Sequence, residues 1–233
     1  MNNDMAAMFD TIAATYDMVN RTGSFGLDGL WRRRLVKHLK KTGVKKIVDI
    51  ACGTGVLSWT ISRKLRIEVT GVDISTQMLK EAEKKSAPST KHHLPVPIFV
   101  VGCAEQLPFP DQSFDAVTIA FGVRNFENRT EAFKEVFRVL KPRGHLFILD
   151  FATPKNRIWN FIFHTYFWYI LPLWGRILSG NRNAYRYLPR SVTTFPQYEA
   201  LLSELSNAGF SELTYSAYTG GVAVLYRGVH AIV

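Results

Sequence analysis

Asp49-Ile-Ala-Cys-Gly53-Thr-Gly55 joins a short β-branched run at 45–50 to residues 55–65, whose apolar positions have helical spacing. A buried strand that runs through a glycine-rich turn into a helix is typical of a parallel α/β sheet. Further elements follow the same pattern, with strands predicted at 67–72, 98–102, 114–121 and 144–151 and helices at 75–85 and 127–140. This alternation predicts right-handed βαβ units with helices on both faces of the sheet.

The alternation stops after residue 151. Residues 153–190 are aromatic and basic, 196–208 have the spacing of a helix, and 212–217 and 221–229 predict two strands around a Gly-Gly turn. A chain of 233 residues without an internal repeat predicts a single Rossmann-like α/β domain over 1–233. We expect an N-terminal lid at 1–43 and an aromatic and basic insertion at 152–193.

The composition argues against several classes of protein. Hydrophobic residues make up 47% and charged residues 21% of the chain, as in an ordinary globular protein. Cys52 and Cys103 are too few for a disulfide framework and lack CxxC spacing, so no metal is expected. The first residues show no basic start before an apolar run, and we therefore expect a cytoplasmic protein without a secretory signal.

The net charge of +10 is concentrated in two stretches. Residues 29–48 contain no carboxylate but hold Arg32, Arg33, Arg34, Lys37, Lys40, Lys41, Lys45 and Lys46. Residues 151–198 again contain no Asp or Glu, but six basic side chains. Stretches of one sign attract polyanions such as nucleic acid or an anionic membrane, although a solvated basic surface would look the same.

The two glycines of the loop let the backbone approach a ligand closely and turn its N–H groups towards it. Neither common nucleotide loop matches: a dinucleotide fingerprint has a third glycine where Ser58 stands, and a phosphate loop needs Gly-Lys-Ser/Thr. Asp49, four positions before Gly53, suits a ligand with an ammonium group better than a pyrophosphate, which it would repel.

Two later strand ends add to this pattern. Asp73 comes 20 residues after Gly53, where a carboxylate can accept hydrogen bonds from both ribose hydroxyls. Cys103-Ala104-Glu105 follows the third strand and suits an adenine slot with a small residue and a polar edge. The strand ends therefore predict a ligand with an amino acid, a ribose and an adenine, which describes S-adenosylmethionine. A purely structural turn and NAD(P) binding remain the alternatives.

Motifs along nearly the whole chain are shared with one family. The most particular are Met8-Phe-Asp-Thr-Ile-Ala-Ala-Thr-Tyr16-Asp17, Phe121-Gly-Val-Arg124-Asn125 and Thr219-Gly-Gly-Val-Ala223. In these motifs the chain resembles the quinone C-methyltransferases of menaquinone and ubiquinone biosynthesis, the UbiE/MenG/COQ5 group. The resemblance implies a class I S-adenosylmethionine-dependent fold, with a mostly parallel seven-stranded sheet, an antiparallel last strand and a helical insertion.

The resemblance also implies an activity and a cofactor site. It implies C-methylation of a polyprenyl quinol, converting demethylmenaquinol to menaquinol or acting on a methoxy-polyprenyl-benzoquinol, because both branches share these motifs. Carried over by position, it places Ser58, Asp73, Cys103 and Ala104 at the cofactor, beside Asp49, Gly53 and Gly55 from the loop. The chain departs from the family where Cys103 replaces a frequent Asn and Ser58 a frequent Thr, so a polar contact to adenine at 103 would come from backbone.

Methylation of a ring carbon requires an electron-rich acceptor, which a quinol becomes when an adjacent hydroxyl loses its proton. We expect Arg124 to stabilise the developing oxyanion and to order a water that accepts the proton, with Asn125 orienting that water or the ring hydroxyl. Tyr16, on an N-terminal segment that can fold over the pocket, would donate to the other oxygen. The plain alternatives are an Arg124 pair with Asp150 or Glu127, and a packed Tyr16.

The run at 157–174 is apolar and rich in Trp and Tyr. It has about 17 residues between flanking charges, at the short limit for a membrane span. Because Trp and Tyr prefer interfaces, we expect a substrate lid that also contacts an anionic membrane, so that the protein is peripherally bound. A core helix or a homodimer interface remains the alternative.

Three other functions stay open: methylation of another small molecule, an RNA methyltransferase or RNA-binding protein, and a non-catalytic cofactor-binding regulator. The chain shows no accessory RNA-binding module, and its insertion is more apolar than a base-stacking groove requires. We therefore expect no nucleic-acid partner.

Overall fold

A mixed seven-stranded sheet forms the centre of the computed structural model, which describes residues 3–86, 94–171, 173 and 182–231. The strands are β1 (Lys46–Ile50), β2 (Glu68–Asp73), β3 (Ile98–Val101), β4 (Phe114–Ala120), β5 (Leu140–Phe151), β6 (Phe210–Tyr218) and β7 (Ala223–His230), in the order β3-β2-β1-β4-β5-β7-β6. The first five strands of this order, from β3 through β2, β1 and β4 to β5, pair in parallel. Strand β7 is antiparallel to both of its neighbours, β5 and β6. The expected sheet, with its antiparallel last strand, is confirmed.

The helices within the described ranges are α1 (Asn3–Gly23), α2 (Leu27–Lys40), α3 (Val56–Leu65), α4 (Thr76–Lys84), α5 (Arg129–Val139), α6 (Arg157–Thr165), α7 (Arg182–Thr194) and α8 (Glu199–Asn207). A π-helical segment, Tyr166–Ile170, continues α6. Parts of the predicted loop at 86–97, with His92 and His93, and of the aromatic run, with Pro172 and Trp174, lie outside the described residues. No helix in the described part of the chain has both the length and the apolar character needed to cross a bilayer.

Successive residues of β1 bury their side chains on opposite faces of the sheet. Ile47 packs in a cluster with Leu35 of α2 and Ile61 of α3, whereas Val48 packs in a cluster with α5 and α8. Strands buried on both faces carry near-continuous β-branched runs, which is why the sequence pattern was informative.

The N-terminal segment divides into two parts. The side chains of Trp31, Leu35 and Leu39 on α2 are buried in the cluster that covers the sheet. The α1 helix instead packs on α4, where Ile12 and Val19 contact the cluster around Met78. The two parts of the segment 1–43 therefore pack differently: α2 belongs to the helical layer of the domain, whereas α1 lies against α4, and the lid stays a prediction.

The boundary between α5 and β5 differs from the prediction. The sequence predicts that Lys141-Pro-Arg-Gly144 ends the helix and precedes the strand, but β5 begins at Leu140. Leu140 pairs with Phe114, and the register then shifts before Ala116 pairs with His145. The four residues thus form an irregularity inside the strand, with Arg143 in the left-handed region at φ 62°. Turn-forming residues do not distinguish such a bulge from a loop.

Candidate active site

The glycine loop follows β1 and begins α3. Gly53 and Gly55 both have positive φ, 55° and 69°, a conformation that side chains with a Cβ rarely adopt. A Cβ on Gly55 would also lie 2.8 Å from the Phe99 ring, whereas one on Gly53 would point into open space. Gly55 is therefore needed for packing behind the loop, and Gly53 for the conformation of its open face.

Asp73, at the end of β2, holds this loop in place. Its Oδ2 accepts a hydrogen bond from the Gly53 N–H at 2.7 Å, and its Oδ1 accepts one from the Ser75 N–H at 2.9 Å. Burial raises the pKa of the carboxyl group, while these backbone hydrogen bonds lower it. Asp73 also borders the cavity described below. The sequence predicts that its carboxylate accepts hydrogen bonds from ribose hydroxyls there.

Asp49 is buried at the end of β1. Its carboxylate accepts hydrogen bonds from Ser58 Oγ at 2.6 Å and Thr118 Oγ1 at 2.7 Å. Burial nevertheless dominates and raises its pKa from 3.8 to about 6. Asp49 borders the cavity, but Ser58 and Gly55 are not among the described residues that line it. Ser58 therefore contacts Asp49, and any effect of Ser58 on a ligand would pass through that carboxylate.

A cavity of about 220 Å³, here called the loop cavity, opens between the glycine loop and the ends of β2, β3 and β4. Asp49, Gly53 and Asp73 lie on its wall together with Cys103 and Ala104. Glu105 Oε1 accepts hydrogen bonds from the Glu127 N–H at 3.0 Å and from the Asn128 N–H at 3.3 Å. These bonds hold together three further residues of the cavity wall. Five of the seven residues predicted to bind the cofactor thus line one cavity.

A second cavity, of about 260 Å³ and here called the aromatic cavity, lies between α1, α2, α6 and α7. Its lining is largely apolar and includes Phe151, Trp159, Phe163 and Tyr166. Five residues line both cavities and form a common wall: Phe9, Tyr16, Arg32, Phe121 and Asn125. The loop cavity, with its buried carboxylates, and the aromatic cavity therefore meet at these side chains.

Arg124 lies in the short 3₁₀ turn Val123–Asn125 after β4 and borders the aromatic cavity. Its Nη1 donates to Asp150 Oδ1 and to the Phe121 carbonyl, both at 2.6 Å. The pair is buried, with Asp150 side-chain exposure at 0%. The Arg124–Asp150 pairing weighed from the sequence is therefore present. Arg124 Nε and Asp150 Oδ2 have no hydrogen-bond partner within the described part of the chain.

Tyr16 and Asn125 stand on the common wall. Burial raises the pKa of the Tyr16 hydroxyl, while the charge of Arg124 and a hydrogen bond with Asn20 lower it. Asn125 Oδ1 accepts a hydrogen bond from the Tyr187 hydroxyl of α7 at 3.2 Å. The structure thus brings all three predicted catalytic residues to the aromatic cavity, and links Asn125 to the insertion through a tyrosine that sequence reasoning did not single out.

Arg32 is the main functional candidate that the sequence reasoning missed. Its place in a basic run suggested a solvated surface, but its exposure is 9%. It forms an ion pair with Asp28 one helical turn earlier, and its guanidinium lies 4.9 Å from the centre of the Phe121 ring. The i, i+4 spacing of Asp28 and Arg32 was the available signal, although the same spacing also occurs on exposed helix faces.

No group of three or more His, Cys, Asp or Glu side chains suited to a metal ion occurs among the residues that the structure describes.

A profile of the ubiE/COQ5 methyltransferase family matches residues 1–230. The chain is 43% identical over 222 residues to the demethylmenaquinone methyltransferase of Thermus thermophilus, covering 95% of this chain and 99% of that protein. It is 40% identical over 223 residues to the ubiquinone/menaquinone biosynthesis C-methyltransferase UbiE of Geotalea daltonii, covering 95% and 94%.

Solved structures share the fold at low sequence identity. The [4+2]-cyclase SpnF has a TM-score of 0.69 at 16% identity, with 98% of this chain and 96% of that chain covered. A S-adenosylmethionine-dependent methyltransferase from Thermotoga maritima, a possible histamine N-methyltransferase, has a TM-score of 0.59 at 18% identity, with coverage of 96% and 99%. These likenesses establish the architecture alone, since one fold supports different reactions.

Proposed function

The chain belongs to the ubiE/COQ5 methyltransferase family, and on that premise we propose that it methylates a ring carbon of a polyprenyl quinol, demethylmenaquinol first among them. It is a S-adenosylmethionine-dependent methyltransferase, as its family and relatives are. The observation that carries the proposal for the acceptor is the common wall between the loop cavity and the aromatic cavity. A flat phenolic ring in the aromatic cavity would there meet a donor in the loop cavity.

The residues of the loop cavity fit S-adenosylmethionine. Asp73 would present a buried carboxylate to a ribose and Asp49 one to an ammonium group, while the small side chains of Cys103 and Ala104 line the cavity where a base would bind. When bound, the cofactor supplies an electrophilic methyl group on a sulfonium centre. The chain must then hold the acceptor carbon about 3–3.5 Å from that methyl group and keep water away from it.

Arg124 makes the ring a better nucleophile in this proposal. A buried guanidinium stabilises a phenolate oxygen nearby, because the charge is poorly screened in an apolar cavity. Burial raises the pKa of Tyr16, which lines the same cavity, and the charge of Arg124 acts against that rise. Hydrogen bonds to Asp150 and to the Phe121 carbonyl hold the guanidinium in place, so it needs little reorganisation during the reaction. Asn125 orients the ring hydroxyl or the water that takes its proton, and Tyr16 donates to the second ring oxygen.

Transfer of a labelled methyl group tests the proposed function. The purified protein is incubated with methyl-labelled S-adenosylmethionine and short-tailed demethylmenaquinol, a methoxy-polyprenyl-benzoquinol, or the oxidised form of each. We expect label on a ring carbon of the quinol and none on the oxidised quinone, because only the quinol yields a phenolate. Absence of label from both quinols would contradict the proposal.

Cofactor affinity is expected to fall as the pH falls below about 6. The pKa of Asp49 is raised to about 6, so its carboxyl group becomes neutral below that pH and no longer attracts an ammonium group. The dissociation constant for S-adenosylhomocysteine should rise as the pH falls through about 6, by up to about tenfold at pH 5, towards the value of the neutral form. Calorimetric titrations between pH 5 and 8 measure this. The Asp49→Asn variant should bind more weakly at pH 8 and lack the inflection; an affinity of the wild type that is independent of pH would contradict the assignment.

The insertion is proposed to lie on an anionic membrane. Ile158 and Phe161 of α6 are 72% and 74% exposed, and Phe25, at the rim of the aromatic cavity, is 78% exposed. Apolar side chains at a cavity rim on a protein of net charge +10 suit the surface in which a lipid-tailed substrate is dissolved. The same face could instead pair two copies of the chain.

Vesicle flotation is expected to distinguish a membrane from a second copy of the chain as the partner of this face. The wild type should float with anionic vesicles and not with neutral ones, and Ile158→Ser/Phe161→Ser should bind about tenfold more weakly. Ile98→Ser, on the edge strand β3 and 66% exposed, is the matched control and should float like the wild type. The membrane proposal would be contradicted if the wild type did not float. If the wild type were also a dimer that the double variant converts to monomer, the partner of this face would be a second copy of the chain.

A further inference from the structure

Arg32 is a buried cation on the wall between the two cavities. It lies on α2 with an exposure of 9% and lines both the loop cavity and the aromatic cavity. Its Nη1 forms the ion pair with Asp28, and Phe121 lies under its plane. The position is rigid, because α2 is anchored in the core and Ser24 Oγ in turn donates to Asp28 at 2.9 Å.

The guanidinium is only partly satisfied by the protein. Arg32 Nε is buried and has no hydrogen-bond partner among the described residues. A buried donor without an acceptor is destabilising, and for a charged group the effect is larger. Nε itself has almost no accessible surface, but Arg32 lines both cavities, so the rest of its guanidinium is placed to meet a ligand oxygen.

The charges nearby indicate which cavity supplies that oxygen. The aromatic cavity already has a cation, Arg124, for a ring oxygen. The loop cavity has a buried carboxylate, Asp49; burial raises its pKa, and the positive charge of Arg32 acts against that rise. A carboxylate and a guanidinium on one cavity wall match the two charges of a free amino acid group.

We propose that Arg32 binds the carboxylate of the amino acid end of S-adenosylmethionine while Asp49 binds its ammonium group. The contact is a charge-assisted hydrogen bond, which is among the stronger polar contacts in proteins. The inference depends on the cofactor and not on the identity of the acceptor. A failure to methylate quinols would therefore leave it intact.

The test compares ligands that differ in a single charge. Calorimetry gives the affinity for S-adenosylhomocysteine and for its decarboxylated analogue, which keeps the ammonium group, in the wild type and in Arg32→Gln. We expect Arg32→Gln to weaken S-adenosylhomocysteine about 10- to 100-fold and the analogue less than about twofold. Arg32→Lys should recover part of the loss. Arg33→Gln, an exposed neighbour that changes the net charge equally, should bind both ligands as the wild type does.

Three outcomes would overturn the proposal. Equal weakening of both ligands would mean that Arg32 only supports the fold. Unchanged binding of S-adenosylhomocysteine with a raised KM for quinol would assign Arg32 to the aromatic cavity. If Arg32→Gln does not fold because Asp28 is left unpaired, the double variant Arg32→Gln/Asp28→Asn removes the unpaired carboxylate. The contact would also be refuted if that variant preferred S-adenosylhomocysteine over the decarboxylated analogue as strongly as the wild type does.

Discussion

Replacing Arg124 with lysine is expected to lower kcat for quinol methylation about a hundredfold or more, with the affinity for S-adenosylhomocysteine unchanged within about twofold. Lysine keeps a positive charge for Asp150, but it loses the fixed plane that joins Asp150, the Phe121 carbonyl and the aromatic cavity. A point charge on a flexible stem does not replace that geometry. A loss in kcat without a loss in cofactor binding would mean that Arg124 acts mainly in the transition state.

The choice of lysine follows from the burial of the ion pair. Arg124→Ala would leave the Asp150 carboxylate buried and unpaired, and removing one partner of a buried pair destabilises a protein by about 3–5 kcal/mol. Thermal unfolding should show that Arg124→Lys remains folded. The matched control is Arg129→Lys, because the Arg129–Glu204 ion pair is partly exposed and neither residue lines a cavity. Wild-type kcat in Arg124→Lys would remove this residue from the mechanism.

The second large effect is expected at Asp73. Its carboxylate anchors the Gly53 N–H and also faces the loop cavity, so the Asp73→Asn substitution alters both the loop and the ribose contact. Two hydrogen bonds from ribose hydroxyls to a charged oxygen pair contribute about 3 kcal/mol together, which corresponds to a loss of affinity of about a hundredfold. Calorimetry with S-adenosylhomocysteine measures this loss directly.

Asp111→Asn serves as the control for the loss of a carboxylate, because Asp111 is largely exposed and borders neither cavity. It should bind the cofactor product as the wild type does. Affinity in Asp73→Asn within a few-fold of the wild type would show that the ribose is held elsewhere.

The fold could be predicted because its elements follow local rules. The helix predicted at 75–85 is present as α4, and Ser75 caps it, because its Oγ accepts a hydrogen bond from the Met78 N–H at 3.1 Å. The start of β5 could not be predicted in this way, since it depends on the pairing of Leu140 with Phe114 on another strand. Tertiary pairing determined that boundary, and local turn residues did not.

The candidate site was predictable where the residues themselves bear the chemistry. Asp73 ends β2 and Arg124 comes shortly after β4; both strands end at the same edge of the sheet, so the positions follow from the topology. The surroundings of Ser58 and Arg32 could not be predicted from the sequence. Ser58 contacts Asp49 and does not line the cavity, and Arg32 is buried although its segment has the composition of a basic surface. The burial of Arg32 also removes one charge from the surface that would meet a polyanion.

The fold alone does not determine the reaction. A cyclase is among the structures that share this architecture, so the assignment of quinol methylation depends on the family and on the two cavities. Their common wall at Tyr16, Phe121 and Asn125 is the feature that distinguishes this account from methylation of a polar acceptor.

A crystal structure of the protein with S-adenosylhomocysteine and a short-tailed demethylmenaquinone would show directly whether the two cavities hold donor and acceptor. We expect the adenosyl group in the loop cavity and the quinone ring in the aromatic cavity. A methyl group on the sulfur would then lie about 3–3.5 Å from the ring carbon across the common wall. A quinone bound outside the aromatic cavity, or a cofactor sulfur that faces away from Tyr16 and Asn125, would contradict this expectation.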